Sequence, residues 1–98
     1  MIQSFRCAGT RDLFHGTRSK AATKVCPATL LRVARRKLDQ LHQAQELLDL
    51  RAPPGNRLET LRADRAGQQS IRINDQYRVC FRWTPAGPED VEIVDYHT

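Results

Sequence analysis

The side chains best placed to do chemistry are three arginines in two neighbouring strand-like runs. Arg78 and Arg82 fall in Tyr77-Arg78-Val79-Cys80-Phe81-Arg82-Trp83, and Arg72 falls in Ser70-Ile71-Arg72-Ile73. Successive strand residues face opposite sides of a sheet. Tyr77, Val79, Phe81 and Trp83 therefore share one face, and Arg78, Cys80 and Arg82 share the other. A three-residue loop, Asn74-Asp75-Gln76, pairs Ile73 with Tyr77, Ile71 with Val79 and Arg72 with Arg78. A two-residue loop at Asn74-Asp75 would pair Ile73 with Gln76 and scramble both faces, so the longer loop is expected. Arginines then crowd one face, and like charges directly opposite destabilise a sheet. Something anionic must offset them: Asp95, Glu59 or a bound phosphate. Arginine suits the last because its planar fork donates two hydrogen bonds to phosphate at once.

The C-terminal Asp95-Tyr96-His97 places an acid, an aromatic ring and an imidazole at the end of the last strand. Together they can supply proton transfer and base stacking. Each also has a structural reading: His97 as a frayed end, Tyr96 as half-buried core, and the arginine cluster as satisfied by Asp95 and Glu59. Cys7, Cys26 and Cys80 are odd in number and widely spaced, without a C-x2-C pair, which argues against a disulfide framework. The spacings of Cys7, His15 and Cys26 match no zinc pattern, so neither a metal nor another cofactor is expected.

The elements that must hold these groups follow from periodicity. Ile2 to Arg6 alternates apolar and polar residues, as a short first strand would. Gly9-Thr10 offers a break and cap before a short helix at Arg11-Asp12-Leu13-Phe14-His15, and Gly16 to Lys24 reads as a polar, basic loop. From Pro27 to Leu50, Leu31, Ala34, Leu38, Leu41, Gln45 and Leu48 recur at helical steps, predicting one long amphipathic helix. Arg35-Arg36-Lys37 is then either a solvated face of that helix or a dock for RNA backbone. Ala52-Pro53-Pro54-Gly55 stops the helix. Strands are expected at Leu58 to Arg62, Gln69 to Ile73, Tyr77 to Trp83 and Val91 to Tyr96, with turns at Ala63 to Gly67, Asn74 to Gln76 and Thr84 to Pro88. Helices first and hairpin strands after indicate an α+β fold: a small antiparallel sheet packed against N-terminal helices.

Composition sets the bounds. Ninety-eight residues at 11.2 kDa predict one domain over residues 1–98, burying roughly 60–65% of its unfolded surface. No apolar run approaches the roughly 20 residues of a membrane-spanning helix, and charged residues interrupt the N-terminal segment, so a cytoplasmic protein without membrane partners is expected. Large α/β enzymes and multi-domain regulators are excluded. Thirteen of the sixteen cations are arginine, and the formal net charge is +5. Residues 1–37 carry nine cations and one anion, whereas residues 83–98 carry four acids and no Lys or Arg. A basic body with an acidic end suits a polyanion-binding surface.

The segment from Leu58 to Gly67, the run from Ser70 to Trp83 and Val94-Asp95-Tyr96-His97 resemble, in this order, the HigB group of RelE-like toxins. Met1-Ile2-Gln3-Ser4-Phe5-Arg6, with Leu13-Phe14 after it, is similar to the start of that group. The resemblance spans essentially the whole chain; residues 17–50 are generic. It implies a RelE-like sheet packed on helices and the toxin of a type II toxin–antitoxin pair. Such toxins enter the ribosomal A site and cut bound mRNA without a metal ion. A HigA-type antitoxin, usually with a helix-turn-helix and so able to form a DNA-binding complex, neutralises them. By the same resemblance Arg78 stabilises the scissile phosphate, Arg62 is a basic phosphate contact, and Asp95, Tyr96 and His97 form the C-terminal active cluster. Where some members carry histidine, this chain has Glu59, which is either a general base or an ion-pair partner of Arg62 or Arg78.

The mechanism that follows has the 2′-OH attacking the adjacent phosphate. Arg78 meets the developing charge while Arg62, Arg72 and Arg82 hold the backbone. His97 moves a proton near neutral pH, Asp95 orients it or acts as base, and Tyr96 stacks on a splayed nucleotide. Two rival readings remain open: a non-catalytic RNA- or protein-binding module, and a toxin whose activity has faded.

Overall fold

The structure, a computed structural model, describes residues 1–96. Three α-helices precede four strands: α1 (Ala8–His15), α2 (Lys20–Val25), α3 (Leu31–Gln43), β1 (Glu59–Thr60), β2 (Gln69–Arg72), β3 (Tyr77–Thr84) and β4 (Gly87–Asp95). The strands form one antiparallel sheet in the order β1-β2-β3-β4. This is the expected α+β architecture, with α3 crossing β3 and β4 and α1 lying on β4.

The central hairpin keeps the expected register. Ile71 opposes Val79 and Arg72 opposes Arg78, and the Ile73 amide donates to the Tyr77 carbonyl at 3.0 Å. Asn74 fixes the loop, its Oδ1 accepting from the Gln76 and Tyr77 amides at 2.9 and 2.7 Å. The apolar face of this hairpin is the core. Ile71, Val79 and Phe81 are fully buried together with Ala34, Leu38 and Leu41 of α3, and with Val91.

Several expectations need correction. Residues 20–25 form α2 rather than loop, because the Ser19 hydroxyl accepts from the Ala22 amide at 3.0 Å and donates to Asp12 at 2.8 Å. Gly9 lets α2 pack close: a Cβ there would lie 2.6 Å from the Ala21 carbonyl oxygen. Gly9 and Thr10 accordingly lie inside α1, not before it.

The predicted 27–50 helix is divided. A 3-10 turn over Ala28–Leu30 leads into α3, Ala44 is extended (ψ 131°), and a second 3-10 turn covers Leu47–Arg51. Asp49 accepts from the Gln45 and Glu46 amides, both at 3.0 Å, so a side chain replaces the helical acceptors these amides would otherwise use. Leu48, on the predicted apolar stripe, is exposed.

Ile2 to Arg6 is not a regular strand. It runs beside β4 through the Phe5–Val91 bridge and the bonds Gln3 to Pro88, Arg6 to Val91 and Val91 to Ser4. A bulge in β4 opposite Cys80–Arg82, with Asp90 at φ 53°, breaks the ladder that a full strand would need.

The strand limits also move. Ala63 at φ 53° turns the chain into a 3-10 turn and cuts β1 to two residues. The expected Thr84 to Pro88 turn contracts to Pro85-Ala86, so β4 starts at Gly87. Lys37, expected on a solvated face, is buried and donates to Asn56 Oδ1. Burial, and then the neighbouring Arg36, pull its pKa below the usual lysine range. Asn56, fully buried, donates in turn to the Leu50 and Ala52 carbonyls at 3.1 and 3.3 Å, tying the 47–56 segment to α3.

Candidate nucleic-acid interface

The face of the sheet away from the helices is built by strand alternation. Glu59, Ser70, Cys80 and Glu92 form one cross-strand row, and Arg72, Arg78 and Val94 form the next. Two of the three arginines are neutralised locally. Arg72 is paired with Asp75 of the hairpin loop. Arg82 Nε lies 3.8 Å from Asp90 at the bulge, and its guanidinium rests on Gly67, where an added Cβ would come within 2.7 Å of Nη1.

Asp75 and Asp90 are thus the acids that meet Arg72 and Arg82, where Asp95, Glu59 or a bound phosphate was expected. A turn acid and a bulge acid reach these guanidinia sooner than residues fixed elsewhere in the ladder. Glu59 is exposed and forms no ion pair with Arg62 or Arg78.

Arg78 differs from its neighbours. Its Nε and Nη1 are buried and have no hydrogen-bond partner among the described residues. The guanidinium carbon sits 6.0 Å from the centre of the Tyr96 ring, a cation–π distance. A buried donor left unpaired costs about 1–3 kcal/mol, so this side chain is held against its own preference by the sheet around it.

Asp95 opposes Tyr77, which places it on the other face from Arg78, and it accepts from Gln76 Nε2 at 3.1 Å. Arg62 is exposed at the end of β1. The structure therefore brings Arg72, Arg78 and Tyr96 together and leaves Asp95 at the sheet's end on the opposite side. His97 lies outside the described residues.

The sequence reading missed a second buttress on this face. Arg65 donates to Glu92 Oε1 at 3.0 Å and to Gln68 at 3.1 Å, and Arg6 approaches the same carboxylate at 3.9 Å. The Glu92 hydrogen bond raises the Arg65 pKa further. These residues, with Asp64, line a polar cleft of about 370 Å³. A signal existed in Glu92, a carboxylate alternating with Val91 and Ile93 on the face that carries arginines. Cys80 lies buried beneath this network, and burial pushes its thiol up to about 11 despite Arg65 nearby. No cluster of three His, Cys, Asp or Glu side chains among the described residues is arranged to hold a metal ion.

The family model described as the RelE-like toxin of type II toxin–antitoxin system HigB matches residues 5–97. The chain belongs to the HigB-like toxins. It is 45% identical over 60 residues to Toxin HigB-1 of Vibrio cholerae serotype O1, covering 61% of this chain and 63% of that protein. An uncharacterized protein of Haemophilus influenzae is 40% identical over 57 residues, covering 58% of this chain and 56% of the other. The matched stretch thus spans less than two thirds of either relative. The HigB-like toxin fold here carries its arginine face on the outer side of the sheet, away from α1 and α3. Among the described residues, no helix is long and apolar enough to cross a membrane.

Proposed function

We propose that this HigB-like toxin is a ribosome-dependent endoribonuclease that cuts mRNA in the A site, neutralised by a HigA-type antitoxin. The observation that carries the reading is Arg78, whose two buried donors have no partner among the described residues, beside Arg72 and Arg82 that are paired with Asp75 and Asp90. A phosphodiester supplies non-bridging oxygens to both donors. The 2′-OH attacks the adjacent phosphorus, the P–O5′ bond breaks, and the negative charge that builds on the non-bridging oxygens is met by an already fixed guanidinium. No reorganisation is required at that moment.

The remaining roles draw on position for the described residues and on the family resemblance for His97 and Asp95. Tyr96, already against Arg78, stacks on an unpaired base and keeps the guanidinium oriented. By the family resemblance, His97 takes the proton from the 2′-OH or returns one to the 5′ oxygen, with Asp95 as its orienting partner or as base. Glu59, exposed on the arginine face, is the alternative base. Arg62 and Arg72 contact the backbone on either side. Arg82, bound to Asp90, supports the bulge and adds positive field.

Purified toxin incubated with a defined mRNA, with and without programmed ribosomes, tests the reading. Cuts that require ribosomes and stop on addition of antitoxin are expected. Folded toxin that binds ribosomes and cuts in neither condition would leave a binding module or a faded toxin.

A further inference from the structure

On the helical side of the molecule α1, α2 and α3 enclose a groove of about 680 Å³. Its floor is apolar, with Leu13, Ala22 and Leu31 contributing. Its rim is cationic: Arg18, Arg32, Arg35 and Arg36 line it, and none of them forms an ion pair among the described residues. Asp39 is the single acid of the lining. The contrast with the sheet face is informative. There, Arg72 and Arg82 are held by Asp75 and Asp90, whereas here four guanidinia are left to a partner.

We propose that this groove is the docking site for an acidic, amphipathic segment of the antitoxin. An apolar floor with a cationic rim fits a helix or strand that sets a Leu- or Phe-like anchor into the groove and turns Glu or Asp outward. RNA backbone would satisfy the arginines but would leave Leu13 and Leu31 facing sugar and phosphate. The location has a consequence. The core and the sheet separate the groove from Arg78, so a partner bound through it leaves the arginine face uncovered by that segment. The inference rests on the toxin–antitoxin reading for the existence of the partner, and adds where and by what chemistry it binds.

The test is isothermal titration of the intact toxin with its purified cognate antitoxin, beside co-sedimentation with ribosomes. Arg32→Glu/Arg36→Glu reverses the rim, and Arg51→Glu, exposed and outside the groove lining, serves as the control; circular dichroism verifies folding of both. The rim variant is expected to bind antitoxin at least about tenfold more weakly, with the control unchanged. Leu31→Ala, which thins the floor without altering charge, should weaken binding too, keeping the test valid if the double reversal disturbs α3. Wild-type affinity in both the rim and the floor variants would overturn the groove. So would a rim variant that binds antitoxin normally but loses ribosomes, which would assign the groove to RNA. A wild-type toxin that does not bind the antitoxin at all would instead overturn the toxin–antitoxin reading itself.

Discussion

Arg78 and Cys80 stand two residues apart on the same face of β3, and their environments make different demands. Arg78 has two buried donors without partners among the described residues, so Arg78→Ala removes an electrostatic liability from the free protein while removing the proposed charge stabiliser. Cleavage should fall about 10²–10³-fold, the range for one preorganised donor. The urea midpoint should move by no more than about 1 kcal/mol equivalent. Arg78→Lys should not restore activity, because a point charge cannot replace the planar fork. Cys80 is neutral in the fold because burial raises its pKa from 9.0 to about 11. An acid with a raised folded pKa contributes stability that is complete below its unfolded value and is lost as pH rises through the folded one. Melting temperatures should therefore drop between pH 9 and 11, and the drop should be smaller in Cys80→Ala. Parallel curves for the two proteins would remove this role. Lys37, with a lowered pKa, acts in the opposite sense, which is why the comparison must be made between variants.

At the level of elements, the 47–56 segment depends on one polar side chain. Asn56 is fully buried and joins Lys37 of α3 to the carbonyls of Leu50 and Ala52. Asn56→Ala should destabilise the toxin by about 2–4 kcal/mol in urea denaturation, since it orphans a buried ammonium and two carbonyls together. Nothing local in the sequence announces that contact, because the partners lie 19 and 6 residues away. The hairpin was legible for the opposite reason. Strict alternation in Ser70-Ile71-Arg72-Ile73 and Tyr77 to Trp83 allowed one register to keep apolar with apolar, and the structure has it. The long helix was overread because helical spacing persists through Leu41 and Leu48 although Asp49 has already diverted the backbone amides. The α2 helix was missed because six residues carry too little periodicity to register; its cap, Ser19, was the available sign. On the arginine face, the pairing of Arg72 with Arg78 could be read from alternation. The partners of Arg72 and Arg82 could not, because Asp75 and Asp90 lie in a loop and a bulge whose geometry only the folded backbone defines.

The whole molecule is a basic particle, formally +5, with two cationic surfaces on opposite sides of one core. Association with ribosomes should weaken steeply with salt, since each neutralised phosphate releases counterions. A co-sedimentation series across ionic strength measures it, and a flat profile would argue against backbone docking through arginines. The resemblance, which spans essentially the whole chain, agrees with the family match over residues 5–97, so the toxin assignment rests on nearly the full chain while the proposed chemistry rests on one face. The central claim is that Arg78 turns that face from a binding surface into a cutting one. The most direct measurement is mapping of mRNA ends on programmed ribosomes exposed to wild-type toxin or to Arg78→Ala at equal ribosome occupancy. The account predicts A-site cuts with the wild type and at least a hundredfold fewer, on the order expected for one lost donor, with the variant. Equal cutting by a correctly folded Arg78→Ala protein would contradict it.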